Sequence, residues 1–294
     1  MNDIAVILNP ASGPAGREAT PDQVQALFAE LGRTATIYAT APGLGVAEQA
    51  RAAVADGCRV AVAAGGDGTV NAVASAILGT EIAFGVLPTG TLNHFAKDLG
   101  LPLELADAVR TIAQGAVRRV DVGQVNGRLF LNNSSIGVYP RVVELRQRQQ
   151  SAGSGKWLAA LWASLAVLRR RPFMGVRIRT ADETVVRSTP FVFVGNNRYR
   201  MVGIRAASRE SLTEGRLAVY VMHAPRRRSL VALAARVFWR GVDKVEELEL
   251  FDVTEATIET RRSRLQVSLD GEVTVLDSPL DYRILPQALP VLAG

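Results

Sequence analysis

A short apolar run, Val60-Ala61-Val62-Ala63-Ala64, passes directly into Gly65-Gly66-Asp67-Gly68-Thr69-Val70-Asn71, and this junction constrains the fold more than any other stretch. The run reads as a buried strand. Beyond it, Val70, Val73, Ala74 and Ile77 recur at helical spacing and stop at Gly79. A strand, a glycine turn and a helix start make an anion site. Glycines let the backbone approach closely, and the unpaired N–H groups and dipole of the helix favour negative charge. Asp67 inside that turn would repel a phosphate unless a cation lay between them. The stretch therefore points to a nucleotide phosphate with Mg²⁺. It equally suits a tight strand-to-helix turn with an aspartate near the helix start.

The same unit repeats around it. Ile4 to Leu8 reads as a first strand, broken by Asn9-Pro10-Ala11-Ser12-Gly13. Thr20, Pro21 and Gln23 form a helix start with Val24, Leu27, Phe28 and Leu31 on one face and Gly32 at the end. Thr36 to Ala39 is a second strand with Thr40 at its exit, and an alanine-rich helix follows at about 46–55. A fourth strand, Ile82 to Leu87, enters Pro88-Thr89-Gly90-Thr91-Leu92-Asn93-His94, and a further helix covers about 104–114. Repeated strand–helix units predict a doubly wound α/β domain over 1–120, with its polar strand-exit loops gathered at one edge. His94 reads as a helix-start histidine packed on its loop.

Past residue 120 the period changes to two. Arg119-Val120-Asp121-Val122 and Arg128-Leu129-Phe130-Leu131 flank Asn126-Gly127, a strong hairpin signal. Alternating segments at 176–180, 191–194, 217–222, 247–259, 265–269 and 273–276 predict an antiparallel β-sandwich domain over 121–280, interrupted by helices at about 156–171 and 228–240. The tail, 281–294, is Pro-punctuated and is expected to return to the first domain. One cysteine and two histidines among 294 residues exclude an intramolecular disulfide and a multi-histidine metal site. With 48% apolar and 21% charged residues the chain is an ordinary globular one. Met1-Asn2-Asp3 runs directly into a strand, leaving no room for a signal peptide. The longest strongly apolar run, Trp157 to Leu168, falls short of the ~20 residues a spanning helix needs. The expectation is a cytoplasmic protein with no nucleic-acid partner.

Three ordered stretches, Asn9-Pro10-Ala11-Ser12-Gly13, Gly65 to Asn71 and Leu87-Pro88-Thr89-Gly90-Thr91-Leu92-Asn93, resemble the signatures of the diacylglycerol kinase catalytic-domain family, which includes bacterial lipid kinases and sphingosine kinases. The resemblance continues through Ser135-Ile136-Gly137, Gly195-Asn196-Asn197 and Asp270-Gly271-Glu272. It implies an ATP-dependent lipid kinase in which ATP lies in the α/β domain's cleft and a hydroxyl of a diacylglycerol-like or sphingoid lipid is phosphorylated. By that similarity Asn9, Pro10, Ala11, Ser12, Gly13, Thr40, Gly65, Gly66, Asp67, Gly68, Thr69, Val70, Asn71 and Thr91 fall on nucleotide-contacting positions. Asp67 would hold the Mg²⁺ of bound ATP. Glu214 stands where the family often carries an aspartate for a structural Mg²⁺; it is one methylene longer, and Mg²⁺ tolerates little change in geometry. Gly153-Ser154-Gly155-Lys156 is followed by Trp157, not Ser or Thr, so it is no Walker P-loop.

Phosphoryl transfer needs positioned phosphates, charge neutralisation and an acceptor for the hydroxyl proton. Asp67, beside a helix N-terminus, is the weaker base and better metal partner. Asp270 and Glu272 compete for the proton, with Glu272 favoured by the resemblance; Asp270-Gly271 also reads as a plain hairpin turn. Two alternatives use the same motifs: an NAD kinase, or a catalytically silent lipid-binding protein of the same fold. Trp157, Leu158, Leu161, Trp162, Leu165 and Leu168 share one helical face bracketed by Lys156 and Arg169-Arg170-Arg171. That pattern suits a helix packed on the sandwich, or peripheral contact with the inner face of a membrane.

Overall fold

The structure, a computed structural model, describes residues 3–10, 12, 19–41, 43–137, 173–200, 208–209, 211–222 and 248–293. The helices expected at 156–171 and 228–240 lie outside the described residues, as do Ala11 and Gly13. The chain divides into two compact units, 1–122 with 285–294, and 123–284.

In the first unit, strands β1 (Ile4–Leu8), β2 (Ala35–Ala39), β3 (Val60–Gly65) and β4 (Ala83–Pro88) form a parallel sheet in the order β2-β1-β3-β4. Strands β1, β3 and β4 read as continuous apolar runs because both faces are covered, whereas β2, at the edge, is half-buried. Helices α1 (Pro21–Glu30) and α5 (Leu105–Gln114) pack over Val6, Leu8, Val62, Ala64 and Leu87. The alternate set, Ala5, Ile7, Ala61 and Ala63, is equally buried on the opposite face. There α2 (Val46–Ala55) and α3 (Asp67–Ile77) pack on β1, on β3 and on each other. Thr20 caps α1, its Oγ1 accepting the N–H of Gln23 at 3.2 Å, an arrangement that contributes about 1 kcal/mol. A short helix, α4 (His94–Asp98), follows β4. Helices after β1 and β3 leave on opposite faces, so the β1/β3 border is the switch point at which such sheets open a crevice.

The chain enters the second unit along β5 (Ala116–Val125) and returns along β18 (Leu280–Ala293), whose Val291 pairs in parallel with Phe84. Val125 opposite Arg128 leaves Asn126-Gly127 as a two-residue turn into β6 (Arg128–Phe130), at φ 45° and 78°. The unit holds two antiparallel layers. One contains β8 (Met174–Arg179), β9 (Thr184–Thr189), β15 (Glu255–Thr260) and the start of β18. The other runs β14-β13-β10-β7-β16-β17, built from β7 (Asn133–Gly137), β10 (Phe191–Asn196), β13 (Leu217–Met222), β14 (Leu248–Val253), β16 (Arg264–Leu269) and β17 (Glu272–Asp277). A small ribbon joins β11 (Tyr199–Arg200) to β12 (Ser208–Arg209). Val176, Ile178 and Ile258 from one layer and Val192, Val219 and Val267 from the other share one core, which makes the unit a sandwich. The alternating stretch expected as one segment at 247–259 is two strands in different layers, divided at Thr254. Apolar residues on both sides of the break face the same core, so periodicity alone carries through it.

Candidate active site

All four parallel strands deliver polar residues to their carboxyl edge, and these residues hydrogen-bond to one another. Asn9 is the hub. Its Nδ2 donates to Thr69 Oγ1 at 3.1 Å, a bond across the β1/β3 switch point, and its Oδ1 accepts from Thr40 Oγ1 at 3.5 Å. Its backbone N–H goes to Ala64, and its carbonyl accepts the Ser12 hydroxyl at 2.7 Å. Ser12 in turn reaches Thr89 Oγ1 at 3.4 Å. The side chain of Asn9 is thus engaged in tying loops together.

The glycines around Asp67 are required by contact. A Cβ on Gly65 would lie 2.4 Å from Thr69 Oγ1, and one on Gly90 would lie 2.3 Å from the Gly66 Cα. The glycine turn and the Pro88–Asn93 loop therefore pack backbone on backbone. Asn93, at φ 51°, holds the second loop by donating Nδ2 to the carbonyls of Pro88 and Gly90. The N–H of Phe95 donates to Asp67 Oδ1 at 3.3 Å, so Asp67 joins both loops.

Gly66 caps α3, and the first ladder bond of that helix runs from the Val70 N–H to the Gly66 carbonyl. The N–H groups of Asp67, Gly68 and Thr69 lie in the first turn, where a helix offers no carbonyl to receive them. Thr69 and Val70 are buried. Thr69 can meet a ligand through its N–H, while Val70 serves the core and the helix ladder. Asn71 accepts the Ser75 hydroxyl at 3.4 Å, and Thr91 is exposed two residues beyond Thr89. Pro10 follows the hub on the same loop. Thr89, Gly90 and Asn93 were not among the residues expected to contact a nucleotide. Their signal in sequence was the Thr-Gly-Thr-Leu-Asn loop as a whole, since close glycine packing appears only in three dimensions.

In the second unit, Leu269 opposite Glu272 leaves Asp270-Gly271 as a two-residue turn, at φ 49° and 88°. The Asp270 carboxylate accepts the backbone N–H groups of Leu131, Asn132 and Asn133 at 2.8, 2.8 and 3.0 Å. Glu272 keeps an exposed edge, yet burial of its carboxyl, and then the charge of Asp270, push its pKa up from the ordinary value. Glu214 accepts the Arg198 N–H at 3.4 Å. Among the described residues no three acidic, histidine or cysteine side chains group together as metal ligands.

The diacylglycerol kinase catalytic-domain model matches residues 3–125, and the YegS C-terminal NAD kinase beta sandwich-like domain model matches 134–293, more than half of the chain. The chain belongs to the diacylglycerol kinase catalytic-domain family. It is similar to a diacylglycerol kinase of Bacillus subtilis, 35% identical over 148 residues, 49% of this chain and 48% of that protein. It is 28% identical to a diacylglycerol kinase of Mycobacterium tuberculosis over 248 residues, 82% of this chain and 79% of that one. The crystal structure of a diacylglycerol kinase from Bacillus anthracis superposes with a TM-score of 0.71 at 19% identity, covering 100% of this chain and 97% of that one.

The family uses a nucleoside triphosphate and usually a divalent metal, and the first-unit residues fit both. The Gly66–Gly90 contact gives a cradle without side chains, beneath the free N–H groups of α3. Asp67 has a second carboxylate oxygen, and Asn93 Oδ1 is a buried acceptor with no hydrogen-bond partner. Phosphate oxygens match the donors, and a cation or its water matches the acceptors.

Proposed function

We propose that this protein is a lipid kinase that transfers the γ-phosphate of ATP to a hydroxyl of a membrane lipid, diacylglycerol-like or sphingoid. The observation that carries the reading is the strand-exit cluster, where the free N–H groups of α3 and the glycine contact lie beside Asp67. The N–H groups of Asp67, Gly68 and Thr69 receive phosphate oxygens, and Asp67 would hold an Mg²⁺, which would supply neutralisation of charge on the phosphates. The lipid hydroxyl oxygen bonds to the γ-phosphorus as the bond to the ADP oxygen breaks, and the hydroxyl proton passes to Glu272.

Glu272 suits that task better than Asp270. Asp270 has both oxygens committed to backbone N–H groups, whereas a carboxylate with a raised pKa is the stronger base. Substrate contact is expected to be peripheral, at the inner face of the membrane. Among the described residues no helix is long and apolar enough to cross a bilayer. Incubation with γ-labelled ATP, Mg²⁺ and separate lipid classes, with NAD alongside, tests the reading. Label in a lipid supports it; label in NAD alone overturns it.

A further inference from the structure

Two hairpins of the second unit turn on two residues each, and the chain places different side chains at the same left-handed position. Asn126 and Asp270 stand there at φ 45° and 49°. Such turns accept either residue. The hydrogen-bond demand around them differs. Asn126 must give and take: its Nδ2 donates to the carbonyls of Asp277 and Pro279, and its Oδ1 accepts the Asp281 N–H. Around Asp270 the facing groups named above are donors, three consecutive N–H groups converging as an anion nest. A carboxylate meets them with both oxygens; an amide would turn its NH₂ on one of them.

The other edge of the same segment is held by a cation. Arg209, 7% exposed, donates from Nη1 to the Leu131 carbonyl at 2.6 Å and the Asn196 carbonyl at 3.1 Å. Its Nη2 donates to Asn132 Oδ1 at 2.9 Å. Asn196 Nδ2 also reaches the Leu131 carbonyl, and the Tyr199 hydroxyl donates to the Asn132 carbonyl. Leu131–Asn133 is the corner at which the chain leaves the β5–β6 hairpin for the layer of β7. Its peptide groups give N–H to an anion and take donors from a cation, and charge-assisted bonds are about twice as strong as neutral ones. Glu272 opens β17 two residues beyond Asp270, so the turn that carries it is fixed to this corner.

We propose that Asp270 is a positioning residue for Glu272: it locks the β16–β17 turn to the Leu131–Asn133 corner, which Arg209 braces from the opposite edge. The proposal rests on Glu272 as the proton acceptor. The test is a double-mutant cycle on the full chain with Asp270→Asn, Glu272→Gln and the pair. Asp270→Asn is expected to lower kcat about 10²-fold through misplacement of the acid, with KM for ATP unchanged. It should cost nothing further once Glu272 is Gln. An equal loss in both backgrounds, an unchanged kcat in a folded Asp270→Asn protein, or a raised KM for ATP would overturn it. If Asp270→Asn does not fold, Arg209→Lys reads the same cycle from the other edge with the same two outcomes. Amide hydrogen exchange separates this proposal from the kinase reading. Exchange at Gly271 and Glu272 should quicken in both Asp270→Asn and Arg209→Lys even if the wild type phosphorylates no lipid, and unchanged exchange in both would overturn the positioning role.

Discussion

Glu272 and Asp67 make different demands on the protein, and single substitutions separate them. Glu272→Gln is expected to lower kcat by about 10²–10⁴-fold while leaving KM for ATP near normal. Asp67→Asn should weaken Mg²⁺ dependence and raise KM for ATP, because it removes the proposed metal partner and alters the acceptor for the Phe95 N–H. The raised pKa of Glu272 has two consequences for pH. A base must be ionised to act, so kcat/KM should fall on the acid side through a pKa above that of an ordinary glutamate, and this limb should vanish in Glu272→Gln. For stability the sign runs the other way. A carboxyl whose folded pKa exceeds its unfolded one binds its proton more tightly when folded. Its charge therefore disfavours the fold at pH above the folded pKa, and the effect is relieved as pH falls through it. Glu272→Gln should accordingly melt no lower than wild type at neutral pH, read by thermal unfolding. A large drop in melting temperature would assign Glu272 a structural role.

At the scale of elements, the contact of the two glycine loops is the feature most open to test. Gly90→Ala drives a methyl against Gly66 and should cost about 1–3 kcal/mol of stability, with ATP binding weakened as the loops separate. Calorimetry and nucleotide titration would read both. Period and punctuation made the parallel strands, α1, α2, α3, α5 and the Asn126-Gly127 turn legible in sequence, because each is decided by residues next to one another. The role of Asn9 as a hub was not, since Thr40 and Thr69 reach it from 31 and 60 residues away. Arg209 gave no sign either. An arginine on a short strand reads as solvated, and its burial is explained by acceptors distant in sequence, among them the carbonyl of Leu131 and Oδ1 of Asn132. The glycine turn reads in sequence as a candidate phosphate site, but the burial of Thr69 and Val70 within it is not encoded by spacing.

At the scale of the whole molecule, a kinase must meet a substrate dissolved in a bilayer. The Trp157–Arg171 stretch, outside the described residues, combines two tryptophans with a local cationic cluster, which suits a bilayer interface. A Trp157→Ala/Trp162→Ala protein is expected to sediment less with anionic vesicles than wild type, with its fold intact; equal sedimentation would return that stretch to the interior. The central claim is transfer of phosphate to a lipid hydroxyl, and one measurement tests it most directly. The full chain is incubated with γ-labelled ATP, Mg²⁺ and mixed micelles of diacylglycerol or a sphingoid base, with NAD as a parallel acceptor, and the products are separated by phase. The account predicts label in the organic phase that depends on Mg²⁺ and that Glu272→Gln slows at least about 10²-fold. Label confined to NAD, or organic-phase label undiminished in Glu272→Gln, would contradict it.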